Sequence, residues 1–237
     1  MATEMTERLA VLVFDVNETL LDIESLAPHF ERMFGDRGVL REWFNQLVMY
    51  SMAVTLSGNY VDFFALGQAV LRMIGGSRQT SITEGDLEDL AYGMRTMPAH
   101  PDVADGLAAL RAQGYRLVTL TNSPPKPGVP TPLASAGLAQ FFERQFSVDT
   151  WRVFKPSPGL YTGVADELNV EPSDCMMVAA HVWDTVGAQS AGFSGALLTR
   201  PGNAPVPIPE LPQPDIIVAD VRELAQRLGP TGSVVKV

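Results

Sequence analysis

Cysteine, positive charge and long apolar runs are all scarce in this sequence. Cys175 is its single cysteine, which excludes an internal disulfide and fits a reducing cytoplasm. Its 17 lysines and arginines face 27 aspartates and glutamates, and the net charge of −10 argues against a nucleic-acid partner. No apolar stretch approaches the roughly 20 residues that span a bilayer, and residues 1–7 lack the apolar segment of a signal peptide. We therefore expect a cytoplasmic protein with no nucleic-acid or membrane partner.

What the sequence does contain is an alternation of apolar runs and helical patterns that is typical of an α/β fold. Strand-like runs occur at residues 9–14, 116–120, 176–180, 195–198 and 216–218. Helical patterns accompany them at residues 103–113, 132–136, 158–168, 185–191 and 221–228. Strands that alternate with helices form βαβ units, which predicts a parallel sheet with its polar strand-to-helix loops along one edge.

Residues 22–97 interrupt this alternation with helical patterns alone. Four helices are predicted there, at residues 25–34, 40–56, 60–74 and 84–95. An all-helical stretch between the first and second strands predicts an insertion, or cap, over the strand ends. The predicted domains are therefore a core of residues 1–21 and 98–237 and a cap of residues 22–97, with a frayed end at 229–237. The apolar cap residues around 47–56 either form a homodimer surface or pack within the cap.

Four short polar segments lie where predicted strands end or helices begin, and ligands bind at such ends of a parallel sheet. They supply Asp15 and Thr19, then Thr121 and Asn122, then Lys155, and finally His181 and Asp184. A carboxylate at a strand end, such as Asp15, can act as a nucleophile, and a nearby cation such as Lys155 would keep it ionised. Each residue taken alone also fits a structural role, as a turn residue, a helix cap or a solvated side chain.

The order of these four segments, with helices inserted between the first and second, resembles the haloacid dehalogenase superfamily and within it the 2-haloacid dehalogenases. Further similarity lies in the Trp-Asp pair at 183–184, the Phe-Lys-Pro-Ser-Pro-Gly-Leu-Tyr run at 154–161 and the Gly-Asn-Tyr-Val-Asp-Phe run at 58–63. The resemblance extends from residue 11 to about residue 218. It implies a Rossmann-like α/β core with an inserted helical cap. It also implies metal-independent hydrolysis of a small 2-haloalkanoic acid, without a cofactor.

The same resemblance assigns roles to individual residues. The predicted catalytic set is Asp15, Thr19, Lys155, His181 and Asp184, of which all but His181 match residues of the family's pattern. Asp15 would attack C2 of the substrate to form an ester, while Thr19 and Lys155 orient and charge-balance it, and water near Asp184 would hydrolyse the ester. His181 would donate to the substrate carboxylate or position this water. The predicted substrate contacts are Asn17, Phe44, Thr121, Asn122, Tyr161 and Trp183, of which Asn17 and Phe44 depart from the family's pattern.

Two positions favour carbon–halogen chemistry over phosphoryl transfer, the commonest reaction of the superfamily. The phosphatases carry a general-acid aspartate where this chain has Asn17, whose amide cannot shuttle a proton. They also carry a Mg²⁺-binding carboxylate where this chain has Ala180, and a hard cation needs such oxygen ligands. We therefore predict no metal site. The alternatives are a hydrolase of another small substrate, residual phosphatase activity included, and a catalytically weak protein that binds a small carboxylate.

Three positions depart from the pattern of the 2-haloacid dehalogenases. The arginine that follows a cap tryptophan and binds halide in that family is Phe44 here, and Arg41 lies three residues earlier, close to the same helix face. The family's tyrosine two residues after the nucleophile is Asn17. A Ser-Asn pair in the fourth segment is replaced by Ala180 and His181. These changes leave the halogen, chain length and enantiomer of the substrate open.

Overall fold

A computed structural model describes residues 9–231, and six parallel strands in one sheet form the centre of this region. In chain order the strands are β1 (Val11–Phe14), β2 (Arg116–Thr121), β3 (Arg144–Ser147), β4 (Cys175–Ala179), β5 (Ser194–Leu198) and β6 (Ile216–Val218). Their spatial order is β3-β2-β1-β4-β5-β6, which places β1 in the middle of the sheet. All four residues of β1 are apolar and buried, as expected of a central strand in a sheet covered on both faces.

Nine α-helices accompany the sheet within residues 9–231. Four follow β1 directly, namely α1 (Ala27–Phe34), α2 (Val39–Leu56), α3 (Phe63–Ser77) and α4 (Glu84–Arg95). The others are α5 (Val103–Ala112), α6 (Pro132–Ser135), α7 (Pro158–Leu168), α8 (Val182–Ser190) and α9 (Val221–Leu228). Each predicted helix is present, with its ends within three residues of the predicted ones. None of these helices has the length and apolar character needed to cross a membrane.

The sequence prediction missed strand β3. Its residues read Arg-Gln-Phe-Ser, and only Phe146 among them is buried. Because β3 lies at the edge of the sheet and pairs with β2 alone, it has no need of a continuous apolar run. An apolar run was the signal used to find strands, and this short polar edge strand lacks it.

The chain leaves the sheet and returns to it at adjacent points. Leu21 and Ala99 form an isolated antiparallel bridge, the backbone N–H of Asp22 donates to the carbonyl of Pro98 at 2.8 Å, and that of His100 donates to the carbonyl of Leu20 at 3.0 Å. These contacts fit the predicted boundaries of the cap at residues 22 and 97, and the division into two domains remains a prediction. The predicted frayed end lies outside the described residues from position 232 onward.

Helices α2 and α3 pack closely within the inserted segment. The indole Nε1–H of Trp43 donates to the carbonyl of Gly67 at 2.8 Å, and a Cβ at position 67 would lie only 3.3 Å from the Trp43 ring. Leu47 is fully buried in this contact, whereas Met49 and Leu56 on the same helix are exposed. Part of the apolar segment 47–56 therefore packs within the insertion, and part of it faces outward.

Candidate active site

The turn after β1 fixes the position of Asp15. The backbone N–H of Asp15 donates to the carbonyl of Val178 in β4 at 3.0 Å, so the residue is still anchored to the sheet. The hydroxyl of Thr19 donates to Asp15 Oδ2 at 2.6 Å and accepts the backbone N–H of Ala180 at 2.9 Å. Thr19 therefore holds one oxygen of the carboxylate, and its role in orienting a nucleophile stays a prediction.

Lys155 lies between two carboxylates in the interior. Its Nζ donates to Asp15 Oδ1 at 2.8 Å, to Asp184 Oδ2 at 2.6 Å and to the carbonyl of Leu120 at 3.0 Å. All three protons of the ammonium thus have acceptors although the side chain is completely buried. Burial opposes the charge, but the two carboxylates outweigh it and raise the pKa of Lys155 above its ordinary value. The residue is a fixed cation at the centre of the site.

The two aspartates bonded to Lys155 differ in the direction of their pKa shifts. Burial alone would raise the pKa of Asp15, but the charge of Lys155 and the contact with His181 outweigh it and hold that pKa well below its ordinary range. Burial also raises the pKa of Asp184, and there the attraction of Lys155 offsets it only in part. The hydroxyl of Tyr161 donates to Asp184 Oδ1 at 2.7 Å. Asp15 is therefore an ionised carboxylate, and Asp184 is the carboxylate better able to take up a proton.

His181 faces Asp15 from the end of β4. Its Nδ1 lies 3.5 Å from Asp15 Oδ2, which is long for a hydrogen bond, and has no bonded partner within residues 9–231. Its ring stacks on Trp183 with centroids 4.9 Å apart, and the ring of Phe44 lies 5.8 Å away. Burial would lower the pKa of His181, but its contacts with Asp15 and Glu18 outweigh burial and raise it to about 9. This direction of the pKa favours a protonated ring at neutral pH, with its Nδ1 directed toward Asp15.

Glu18 is a site residue that the sequence prediction missed. Its side chain is 3% exposed, and its Oε2 lies 2.8 Å from His181 Nε2. Its Oε1 accepts from Arg41 and, at 2.9 Å, from Asn203 Nδ2. The sequence alone assigns no role to Glu18. Its charge, one position from Thr19 and three from Asp15, is the only sign in the sequence that it could belong to the site. The residues that it bonds lie up to 185 positions away in the sequence, so local sequence does not reveal them.

Arg41 does not take the place of the family's halide-binding arginine. Besides Glu18, its guanidinium bonds the carboxylate of Glu24 at 2.6 Å and the carbonyl of Pro201 at 3.2 Å. The guanidinium of Arg41 is therefore bonded to these acceptors, and it contacts Glu18 through Oε1, whereas His181 contacts Oε2. Phe44 itself is buried and contributes a ring to the site but no charge.

The remaining predicted residues line the loop after β2. The backbone N–H of Lys155 donates to Asn122 Oδ1 at 3.4 Å, and Thr121 Oγ1 accepts the backbone N–H of Ser123 at 3.2 Å. Asn17 Nδ2 donates to Ser123 Oγ at 3.4 Å. The structure therefore brings Asn17, Thr121 and Asn122 to the site, and adds Ser123, which the sequence prediction did not include.

A cavity of about 470 Å³ adjoins this loop. Asn17, Thr121 and Ser123 lie on its core side, and Phe64 of α3 and Arg95 of α4 lie on its other side. Space for a small molecule thus exists between the inserted helices and the loop after β2.

The ionisable groups of the site are not arranged as metal ligands. Within residues 9–231, no group of three or more histidine, cysteine, aspartate or glutamate side chains could hold a metal ion. The two carboxylates that meet at the site, Asp15 and Asp184, share the ammonium of Lys155 between them. This donor set suits a buried lysine rather than a divalent cation.

Comparison with known proteins identifies the family. The model of the haloacid dehalogenase-like hydrolases matches residues 9–192. The chain belongs to this family. An (S)-2-haloacid dehalogenase of Xanthobacter autotrophicus is 32% identical over 194 residues, which cover 81% of this chain and 76% of that protein. The (S)-2-haloacid dehalogenase 4A of Burkholderia cepacia is 28% identical over 206 residues, 85% of this chain and 87% of that protein.

Solved structures of the haloacid dehalogenase-like family share this fold. The L-2-haloacid dehalogenase of Xanthobacter autotrophicus with chloropropionic acid covalently bound has a TM-score of 0.82 at 28% identity, covering 93% of this chain and 98% of that chain. A phosphatase of the same superfamily from Thermococcus onnurineus has a TM-score of 0.62 at 21% identity over 93% of this chain and 98% of its own, which shows the fold alone. The predicted family and the predicted α/β fold are both confirmed.

Proposed function

We propose that this protein is a hydrolytic dehalogenase of small 2-haloalkanoic acids and that it works through an ester on Asp15. The observation that carries the proposal is the carboxylate of Asp15 at the end of β1, held by Thr19 and kept ionised by the buried Lys155. The similarity to (S)-2-haloacid dehalogenases and to a structure with covalently bound chloropropionic acid supports the same chemistry.

In the first step a carboxylate oxygen of Asp15 attacks C2 of the substrate. The new O–C2 bond forms as the carbon–halogen bond breaks, C2 inverts, and the halide leaves with the bonding electrons. Negative charge moves from the carboxylate to the departing halide during this step. Because the halide leaves on the face of C2 opposite Asp15, a donor beside Asp15 acts on the nucleophile's side of the substrate. The Nδ1 of His181, 3.5 Å from Asp15 Oδ2, lies on that side, where it can donate to the substrate carboxylate.

In the second step water attacks the carbonyl carbon of the ester on Asp15. The bond from that carbon to the substrate oxygen breaks, and the water oxygen stays in the regenerated carboxylate. One proton of the water goes to the departing 2-hydroxy acid, and the other passes through Asp184 to the solvent. The raised pKa of Asp184 suits a group that accepts a proton and releases it again. The balance is haloacid plus water giving hydroxy acid, halide and a proton.

Substrate recognition follows from the same set of contacts. Thr121, Asn122 and Asn17 offer neutral donors near the nucleophile, and His181 offers a charged one. Phe44 and Trp183, whose rings flank His181, form an apolar boundary for the halogen. Tyr161 acts through Asp184, which it bonds. The cavity beside Asn17 is lined by Thr121 and Ser123, whereas Asp15, Phe44 and His181 are not among its lining residues.

We also propose that the protein works in the cytoplasm and assembles as a homodimer. Burial raises the pKa of the Cys175 thiol to about 12, so the single cysteine is a protonated, structural group that suits a reducing compartment. The exposed apolar residues Met49 and Leu56 on α2 supply a surface for a second copy. Light scattering of the purified protein tests the assembly, and a monomer at every concentration would contradict it.

The decisive test is halide release from a panel of fluoro-, chloro- and bromo-substituted 2-haloacids, with and without EDTA. We expect halide release that EDTA does not reduce and that Asp15→Asn abolishes. A single turnover in H₂¹⁸O should place the label in Asp15, as peptide mass spectrometry would show. Phosphate release that EDTA abolishes, without any halide, would favour the phosphatase alternative. Binding of haloacids without turnover would favour a small-carboxylate-binding protein.

A further inference from the structure

Glu18 is a buried charged group to which the reaction assigns no step. It lies in the turn between Asp15 and Thr19 and, like Asp15, is buried. Its backbone has a φ of 68°, the left-handed region that side chains other than glycine rarely adopt. A buried carboxylate in strained backbone persists only where its surroundings hold it firmly. The contacts of the Glu18 carboxylate therefore indicate what the residue does.

The contacts of Glu18 come from four distant parts of the chain. His181 approaches Oε2 at 2.8 Å from the end of β4, while Arg41 of α2 and Asn203 of the loop after β5 both donate to Oε1. The ring of His100 bonds the backbone carbonyl of Glu18 at 3.0 Å. Both carboxylate oxygens and the carbonyl are thus engaged, and the side chain has one well-defined position.

This position determines which way the imidazole of His181 points. With Nε2 bonded to Glu18, Nδ1 is directed toward Asp15 Oδ2 at 3.5 Å, where it has no bonded partner within residues 9–231. We propose that Glu18 is a positioning residue of the dehalogenation reaction, which fixes the ring of His181 and keeps it protonated so that a charged Nδ1–H faces the reacting carboxylate. The proposal rests on the dehalogenase function above.

The charged groups around His181 agree with a protonated ring. Asp15 and Glu18 face its two nitrogens, one on each side. The nearest cations each bond a carboxylate, Lys155 joining Asp15 and Arg41 joining Glu18. Phe44 and Trp183, which cover the faces of the ring, carry no charge. Removing the charge of Glu18 would leave Asp15 as the only carboxylate in contact with the ring among the described residues.

The test measures the protonation of His181 directly. The chain has only three histidines, His29, His100 and His181, so imidazole NMR signals are assigned by single substitutions. In Glu18→Gln the pKa of His181 should fall by roughly one unit or more, as is usual when an adjacent opposite charge is lost. The alkaline limb of the pH profile of kcat/KM should move down by the same amount.

Two matched variants make the result specific. Glu24→Gln removes the other carboxylate of Arg41 without touching His181, and it should leave both the NMR titration and the alkaline limb in place. Arg41→Gln removes a positive charge behind Glu18, so it should leave the pKa of His181 unchanged or raise it. General damage to the site would instead lower the pKa in both Glu18→Gln and Arg41→Gln.

A pKa of His181 that is the same in Glu18→Gln as in the unmodified protein overturns the proposal. So does an alkaline limb that stays in place while the NMR pKa moves. If the protein releases no halide from any haloacid, the dehalogenase function fails, and the NMR titration still decides whether Glu18 controls His181. In a His181→Asn background, Glu18→Gln should have no further effect on the pH profile.

Discussion

Replacing Lys155 by methionine tests the electrostatic core of the site. Methionine keeps the unbranched chain but removes the ammonium that joins Asp15 and Asp184, both of which are buried. Breaking a buried ion pair by removal of one partner costs about 3–5 kcal/mol, because the other charge is left uncompensated. At about 2–4 °C per kcal/mol for a domain of this size, the melting temperature should fall by roughly 6–20 °C near neutral pH.

The pKa values of Asp15 and Asp184 determine how the stability difference between the unmodified protein and Lys155→Met changes with pH. In the unmodified protein the pKa of Asp15 is lowered, so its contribution to stability is present above the unfolded pKa and is lost as the pH falls. In Lys155→Met burial raises the carboxylate pKa values instead, so the folded variant takes up a proton more readily than the unfolded chain. The stability difference between the two proteins should therefore be largest near pH 8 and shrink toward pH 5.

The measurement is the free energy of unfolding in urea at several pH values, with thermal unfolding alongside. Lys126→Met is the matched control, because Lys126 is exposed and has no ion pair within residues 9–231. It should change the stability by at most about 0.5 kcal/mol. Equal stability of the two variants at pH 7, or a loss in Lys155→Met that grows as the pH falls, would refute the reasoning.

Three further outcomes are expected. The kcat/KM of the unmodified enzyme should fall as the pH rises through about 9, where His181 loses its proton, and a flat profile between pH 6 and 10 would contradict this. Asp184→Asn should slow ester hydrolysis more than ester formation, so intact-protein mass spectrometry should detect the covalent adduct during turnover; turnover without an adduct would argue against that role. Arg200→Met breaks the buried, two-bond contact of Arg200 with Asp102, at 2.7 and 2.9 Å, and should cost about 3–5 kcal/mol in urea unfolding. An unchanged unfolding midpoint would exclude that contribution.

The fold was predictable wherever burial imposes a periodic pattern. Local sequence patterns predict both the buried strand β1 and the amphipathic helices of the insertion. The first and last residues of α4, α7 and α9 are the predicted ones. Strand β3 was not predictable in this way. As a polar edge strand it is defined by its hydrogen bonds to β2, which local sequence does not contain.

The members of the site could be predicted because the strand ends of a parallel sheet converge. Asp15 follows β1, Lys155 precedes α7 and Asp184 lies in the first turn of α8, and the ion pairs of Lys155 show that the fold brings the three together. The hydrogen bonds between them could not be predicted in the same way. Asn122 was expected to bind substrate, yet its Oδ1 here accepts the backbone N–H of Lys155, a contact that depends on the final loop geometry.

Two departures from the family's pattern, Phe44 in place of an arginine and His181 in place of an uncharged residue, together move one positive charge from α2 to the end of β4. Their rings lie 5.8 Å apart although 137 positions separate them, so a cation lost from α2 can be replaced at the end of β4. The site and its immediate surroundings then hold four carboxylates, Asp15, Glu18, Glu24 and Asp184, and three cations, Arg41, Lys155 and His181. A neutral imidazole would leave one further negative charge uncompensated. An anionic haloacid approaching a protein of charge −10 needs a local cation, and the Nδ1 of His181 is a buried nitrogen without a bonded partner within residues 9–231.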